Sequence, residues 1–341
     1  MDSNAIEFTA TGINFVGRTF ENNGIQGKIQ KRDFEPNEPY TITATVIGNY
    51  KYVKYQTEEY YCSQNINKLA PKNIIEKWNE KIAQFIMTNI QKFVSLYDGQ
   101  QGGYKLEDIK RHKIQLPVKC GQIYFEFMEN FIVELESRRV AELESYLLVT
   151  GLKDYVLTVE EEKALNDFNS LEWKEFNLEK LFGKATRGKR LKSDDRIIGA
   201  LPFVTAGEAD EGISAFIGNK VEIFESNTTT IDMFGSAKYR NYRYGADDHV
   251  AVVHTESLPV KSAIFVTSAI HKAAHTGEFN YGHNFYAKDA DALNVKLPAK
   301  GGVPDYEFMK NYISAIQKLV IKDVVLYADT KIETTKSIVN K

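Results

Sequence analysis

Several groups of side chains in this sequence have types and spacings that could do chemistry. His271 and His275 lie four residues apart, so on a helix both imidazoles share a face, which is a metal-ligand spacing. No Glu follows the first His and no third ligand is near, so no metal is expected there. Asp305-Tyr306-Glu307-Phe308-Met309-Lys310 has the outline of a nuclease carboxylate cluster. Acidic residues also favour the positive end of a helix dipole, and a helix-start role explains them better. Lys184, Arg187, Lys189, Arg190, Lys192 and Arg196 crowd one Gly-containing stretch. Lys238-Tyr239-Arg240-Asn241-Tyr242-Arg243-Tyr244 alternates cations with aromatics, as does Tyr50-Lys51-Tyr52-Val53-Lys54-Tyr55. Cations neutralise phosphates, while Arg, Asn, Gln and His can read base edges, so these stretches suit nucleic acid. A half-exposed strand shows the same alternation, and that reading stays open. Gly-rich phosphate loops, Gly-x-Ser-x-Gly elbows, Cys/His zinc spacings and Asn-Pro-Pro-Tyr runs are all missing from the sequence.

The elements that must position these groups are written twice. Ile114-Gln115-Leu116-Pro117-Val118-Lys119-Cys120-Gly121 leads to Glu126-Phe127-Met128-Glu129-Asn130-Phe131-Ile132. Val295-Lys296-Leu297-Pro298-Ala299-Lys300-Gly301-Gly302 leads, at the same spacing, to Glu307-Phe308-Met309-Lys310-Asn311-Tyr312-Ile313. Pro lacks an N–H and biases its predecessor to extended geometry, so each Leu-Pro is expected to stop a strand before a helix starts. The match continues upstream: Gly12–Val16 with Asn23-Gly24-Ile25 answers to Leu201–Val204 with Glu211-Gly212-Ile213. Gly48, Lys51, Tyr52 and Tyr55 likewise answer to Gly235, Lys238, Tyr239 and Tyr242. Two homologous halves follow, diverged mainly in their loops.

Within a half, β-type runs such as Tyr40–Ile47, Val221–Phe224, His249–Val253 and Ala263–Val266 are separated by turn residues. A short helix is expected around Met87–Leu96 and Ser268–His275, then a Gly/aromatic loop and a last strand. After that the period changes. Met128, Phe131, Ile132, Leu135, Val140, Leu143, Tyr146 and Leu147 form a helical stripe, repeated by Met309, Tyr312, Ile313, Ile316, Leu319, Val320 and Val324. The expected fold is α+β: two homologous globular domains joined by two long helices packed as an antiparallel coiled coil. The boundaries are 1–122 for the first domain, 123–150 for its helix, and 151–170 for a linker with a short helix over Val159–Phe168. The second domain takes 171–303, and the second helix with its tail takes 304–341. Trp173–Leu178 is expected to be a strand opening the second domain. The first half shows no counterpart, since its matching region begins almost at Met1, so that module is either dispensable or supplied by Asp329–Lys341 or by a partner.

At 341 residues the chain is long enough for two domains with real cores, and 43% hydrophobic with 26% charged residues is a globular composition. Cys62 and Cys120 are too few for a disulfide framework, and no apolar signal or membrane-length segment is present, so a cytoplasmic protein is expected. A net charge of −3 counts mildly against nucleic acid, but the acidity concentrates between Glu126 and Glu162, leaving basic faces on the domains.

The order of these parts resembles the specificity (S) subunits of Type I restriction–modification systems. Trp173…Phe176-x-Leu178…Leu181-Phe182 opens a unit, and Leu-Pro followed by Glu-Phe-Met helices closes each one. In length the chain is closer to the small specificity subunit of two-subunit Type IIB enzymes. The resemblance implies a non-catalytic reader whose two target recognition domains read an asymmetric, bipartite double-stranded DNA sequence. It implies methyltransferase subunits, two per chain, docked on the helices through Met128, Phe131, Leu135, Met309, Tyr312 and Ile316, and a restriction subunit or nuclease domain in the same complex. It places S-adenosylmethionine and Mg on those partners and no cofactor on this chain. DNA contacts are assigned to Arg18, Lys28, Lys51, Lys54, Gln100, Gln101 and Tyr104 in the first half. In the second they fall to Arg187, Lys189, Arg190, Lys238, Arg240, Arg243, His271, Tyr281, His283 and Asn284. Competing readings are a structural adaptor, or an enzyme using His271, His275 and Tyr281.

Overall fold

The structure, a computed structural model, describes Met1 and residues 6–99 and 101–339, the side chains of 335–339 excepted. It divides into two compact units, Met1–Leu143 with Lys331–Lys341 and Glu144–Thr330.

In the first unit, β1 (Ile13–Val16) and β2 (Ile25–Ile29) form an antiparallel hairpin. Its turn places Asn22 and Asn23 at φ 44° and 54° and Gly24 at φ 81°, the left-handed region that Asn tolerates and Gly adopts freely. β3 (Thr41–Thr45) pairs antiparallel with β4 (Val53–Gln56) and later with β6 (Ile66–Leu69), while β5 (Tyr60–Cys62) runs parallel to β1. Asn79 starts α1 (Glu80–Ser95) by accepting the Ile82 N–H. Its buried Ile82, Ala83, Ile86, Ile90, Phe93 and Val94 recur at helical spacing, and this stripe joins Ile42, Ala44, Val53 and Tyr55 of β3 and β4 in one core. α2 (Leu106–Arg111), the hairpin of β7 (Val118–Lys119) and β8 (Gln122–Ile123), and α3 (Phe125–Val149) follow, α3 belonging here as far as Leu143.

The second unit takes the end of α3, then α4 (Val159–Asp167), whose start is a reciprocal cap between Thr158 and Glu161. β9 (Trp173–Asn177), α5 (Leu178–Phe182) and β10 (Thr186–Arg187) come next. Then the first unit's grammar returns. β11 (Ile198–Val204) and β12 (Ile213–Ile217) form a hairpin whose turn holds Asp210, Glu211 and Gly212 at φ 47°, 55° and 81°. The register slips between Phe203 and Val204, as it does between Phe15 and Val16. β13 (Thr228–Asp232) and β14 (Ala237–Arg240) pair antiparallel, β15 (Gly245–Ala246) runs parallel to β11, and β16 (Val250–Val253) closes on β13. α6 (Val260–Ala274), α7 (Ala287–Ala292), β17 (Asn294–Lys300), β18 (Val303–Pro304) and α8 (Tyr306–Val339) complete the order. Sheets run β12-β11-β15, β10-β16-β13-β14 and β18-β17-β9.

Local expectations are corrected in five places. Ala263–Val266 lies inside α6, not in a strand; a short apolar run has no period of its own, and buried Ala263, Val266, Ile270 and Ala274 supply the helical one. Val221–Phe224 is not a strand, only Phe224 bridging to Tyr244. The helices expected around Met87–Leu96 and Ser268–His275 start earlier and are longer. Pro298 does not stop its strand: β17 runs through it, opposite Trp173. Ala299 donates its N–H to Glu172, so by strand alternation Pro298 sits where no N–H is owed to β9. In the first unit, Ile114–Pro117 is not a strand at all, because β9 has no counterpart beside it among the described residues.

Candidate nucleic-acid interface

Two parts of the second unit present polar groups to solvent. One is the stretch after β10. Gly188 lies so close to the β15 backbone that a Cβ would meet the Ala246 oxygen at 1.7 Å, and Lys189 donates its N–H to that same oxygen at 3.1 Å. Leu191 N–H reaches Asp247 Oδ1 at 3.3 Å, and Arg196 turns inward to the Leu191 carbonyl and the Phe203 ring. These contacts fix the backbone. Lys184, Arg187, Lys189, Arg190 and Lys192 are all exposed, and none has an ion-pair partner among the described residues. Uncommitted cations on a fixed backbone are what phosphate contacts need.

The other part gathers around the β13–β14 turn. His271 Nδ1 accepts the Ala237 N–H at 3.1 Å, and His275, stacked on it with ring centroids 4.8 Å apart, is 3.2 Å from the Phe234 carbonyl. Tyr281 meets the Phe234 ring edge-on at 5.2 Å. The loop is closed by paired backbone hydrogen bonds between Asn280 and His283 and anchored by buried Phe285, whose N–H donates to Met233. Tyr281 is 86% exposed and His283 is exposed against Phe279. Thus Phe234 joins His275 to Tyr281, and His283, two residues on in the same loop, stacks on Phe279. Asn284 is half-buried and its amide donates to the Tyr286 hydroxyl at 3.3 Å. Sheet order puts β10 and β14 at opposite edges, about 14 Å apart at ordinary strand spacing, so the two parts are separate.

The alternating stretch is largely structural. Arg240 is 1% exposed, and its guanidinium donates to Thr230 Oγ1, the Tyr242 hydroxyl and the Glu211 carbonyl at 2.9, 2.9 and 2.8 Å. It pins the left-handed turn of the β11–β12 hairpin and is not a surface phosphate contact. Lys238 is half-buried against Glu208 and Ser236, and hydrogen bonds from Ser236 and Lys238 hold the Glu208 carboxyl below its usual range. Arg243 is exposed but paired with Glu225 at 3.1 Å.

In the first unit, Arg18, Lys28 and Gln101 are exposed, and Gln100 lies outside the described residues. Lys28 borders a polar cleft of about 380 Å³ lined by Asn14, Asn22, Asn23, Gln56 and Glu58. Lys54 lies over the Phe20 ring at 4.2 Å, and burial lowers its ammonium pKa. Lys51 is instead a corrected assignment: it is 1% exposed, its ammonium donating to the Gly48 and Tyr97 carbonyls. Tyr104 is corrected too. It is 2% exposed, packs on Phe93 and Tyr97, and burial pushes its phenol up to about 12. It is the anchor of its loop, as Phe285 is of the other.

Among the residues assigned to partners, Met128 and Met309 are fully buried in the cores of their own units and cannot face another protein. Phe131 and Leu135 are 47% and 42% exposed. Tyr312 stacks on Phe168 at 4.6 Å, and Ile316 lines an open groove of about 740 Å³ beside it. The sequence reading missed Phe20, Phe234 and the Asn14–Asn22 cleft. Phe20, two residues from Arg18, could have been found as an aromatic beside a cation; the cleft depends on a turn conformation that no local pattern announces. It also passed over Asp247, Asp248 and His249, whose ligand atoms lie within 4.8 Å of one another.

Comparison with known proteins agrees with this layout. Residues 3–145 match the Type I restriction modification DNA specificity domain. The specificity subunit S.BcgI of the Type II restriction enzyme BgcI from Heyndrickxia coagulans is 22% identical over 94% of this chain and 91% of its own length. The crystal structure of a Type I restriction–modification S subunit from M. genitalium superposes with a TM-score of 0.57 at 15% identity, covering 97% of this chain and 87% of that one. Along nearly its whole length the chain is thus similar to specificity subunits of restriction–modification systems.

Proposed function

We propose that this chain is a specificity subunit of a restriction–modification system, a non-catalytic reader of a bipartite DNA sequence, each unit contributing one recognition domain over 1–122 and 171–303. The observation that carries this is the second unit's basic stretch, held rigid by Gly188 and Lys189 while its five exposed cations stay unpaired. Phosphate contacts fall to Arg18, Lys28, Arg187, Lys189 and Arg190, and base contacts to Gln101, Tyr281, His283 and Asn284. Phosphate contacts position a protein, and base-edge contacts specify it.

In this reading α3 and α8 pack as an antiparallel coiled coil. Lys153, just past α3, supports it by reaching Glu144 on α3 and Asp329 on α8 at 2.9 and 3.3 Å. With 25 residues α3 is about 38 Å long, on the order of one DNA turn, so it suits a ruler between half-sites. Methyltransferase and restriction subunits dock on the exposed helix faces that include Phe131, Leu135 and Ile316, and carry the S-adenosylmethionine and Mg. The similarity to a Type II specificity subunit along nearly the whole chain supports the Type IIB variant of this reading. The test is to express the chain with its modification subunit and map modified adenines genome-wide. A gapped two-part motif is expected; an ungapped motif, or modification by the isolated chain, overturns the proposal.

A further inference from the structure

The second unit shows how one face of the repeated fold is covered, and the first unit leaves that face open. In the second unit β9 adds an antiparallel strand to β17, Val295 opposite Phe176 and Leu297 opposite Lys174. Leu178 of α5 is 2% exposed and belongs to the core with Ala290 of α7. Asp291 receives the Ala185 N–H on its carboxylate at 2.7 Å and the Asn177 amide on its carbonyl at 2.8 Å. β10 then covers the outer edge of β16.

The matching surfaces of the first unit are vacant among the described residues. Ile114 and Leu116 stand at the positions of Val295 and Leu297, and their N–H groups donate to nothing described. β6 has no strand on its outer edge. Between them lies an apolar groove of about 470 Å³, lined by Leu69, Ile86, Ile90, Ile109 and Ile114, with Ile74 at its rim 73% exposed. Unpaired strand edges beside apolar pockets are the setting for strand addition, in which backbone bonds give affinity and pockets give selectivity.

The rim says what chemistry fits. Where the second unit has Asp291-Ala292-Leu293-Asn294, the first has Lys110-Arg111-His112-Lys113, all four exposed, with Lys110 paired to Glu107 at 2.9 Å and no ion pair described for the other three. An acceptor that held N–H groups has become a row of donors, so the occupant must bring carboxylates. A second copy of this chain does not offer a free segment of this kind: its own Trp173–Phe182 balances Glu175 and Glu179 with Lys174 and Lys180 and is already packed in its second unit. We propose that the first unit's groove docks an acidic segment of another polypeptide. The segment adds as an antiparallel strand along Ile114–Leu116 and lays a Leu- or Phe-bearing helical turn between α1, α2 and β6.

The probe is a fluorescent peptide of residues 172–183 of this chain carrying Lys174→Glu and Lys180→Glu, titrated into the full chain. It should bind about tenfold more tightly than the peptide with its native lysines, and Lys110→Glu with Lys113→Glu in the chain should reverse that order. Bound peptide should slow amide exchange at Ile114 and Leu116 about tenfold, a signature that the exposed charges alone would not give. Four outcomes overturn the proposal: neither peptide binds, the charge changes have no effect, or binding leaves those two amides unprotected. The fourth is that the peptide binds only after residues 331–341 are removed, or only after a dimer is dissociated, which would mean that this chain fills its own groove.

Discussion

The two units share a hairpin with a left-handed turn, a parallel third strand, a second antiparallel sheet, and a helix–loop–helix ahead of the Leu-Pro phrase, yet they secure these parts differently. In the second unit Arg240 holds the turn from inside the sheet. In the first unit no Arg stands there. Asn23 donates its amide to the Tyr55 carbonyl, and Gln56 donates to Asn23, at 2.7 and 3.2 Å. In the second unit β9 and α5 seal the last strand; among the described residues of the first unit Ile114–Pro117 has no such neighbour. Backbone geometry is therefore the repeated quantity, and the side chains that enforce it are exchangeable. A repeated motif marks where a turn or strand lies, but it does not transfer the role of any one cation.

Removing the seal should have the largest effect. Leu178→Ala should cost the second unit about 2–5 kcal/mol, as for a buried Leu that leaves a cavity. Denaturation followed by hydrogen exchange should show the second unit opening first and the first unit unmoved. Loss of both units together would break the comparison.

Next comes the clamp of α4 on α8, for which the first unit has no counterpart among the described residues. Burial alone would raise the Glu161 pKa, but hydrogen bonds from Ser314, the Thr158 N–H and Lys318 hold it below the usual carboxylate range. Burial would lower Lys318, yet Asp154 and Glu161 raise it. The depressed carboxylate gives stability present above the ordinary carboxylate pKa and lost as pH falls through its folded value. The raised ammonium gives stability present below the ordinary lysine pKa and lost as pH rises through its raised value. The clamp is thus complete near neutral pH. Lys318→Ala, which strands a buried carboxylate, should cost about 3 kcal/mol at neutral pH and less in acid, measured by thermal melts across pH.

Arg240→Ala should destabilise the second unit by about 2 kcal/mol through its three lost hydrogen bonds, and leave the salt dependence of DNA binding unchanged. Lys189→Glu with Arg190→Glu should do the opposite, sparing the melt while lowering the salt slope by about 2. If Arg240 altered the slope and Lys189 did not, the division between internal and surface cations drawn here would be wrong. Smallest of all, Tyr281→Ala should cost about 1 kcal/mol of discrimination at one half-site and nothing at the other.

Much of this was legible in the sequence, because period and duplication are local or self-referring signals. The helical stripes, the Trp173–Asn177 strand and the pairing of Gly24 with Gly212 all survive in the structure. What failed was whatever depended on the third dimension. Lys51 and Arg240 read as surface cations because alternation with aromatics cannot say which face of a strand is covered. Met128 lies on the same stripe as exposed Phe131, and Met309 on the same stripe as exposed Ile316; a helix stripe serves its own unit's core before any partner. Pro298 looked like a strand stop, whereas the geometry of β9 leaves a place for a residue without an N–H.

The central claim is that two separate units read two separate parts of one DNA sequence. It is tested most directly by selecting bound duplexes from a random pool with the assembled complex, using wild type and Tyr281→Ala with His283→Ala. A gapped two-part motif is expected in both, with information lost from one part only in the variant. Equal loss from both parts, or a motif without a gap, would contradict it.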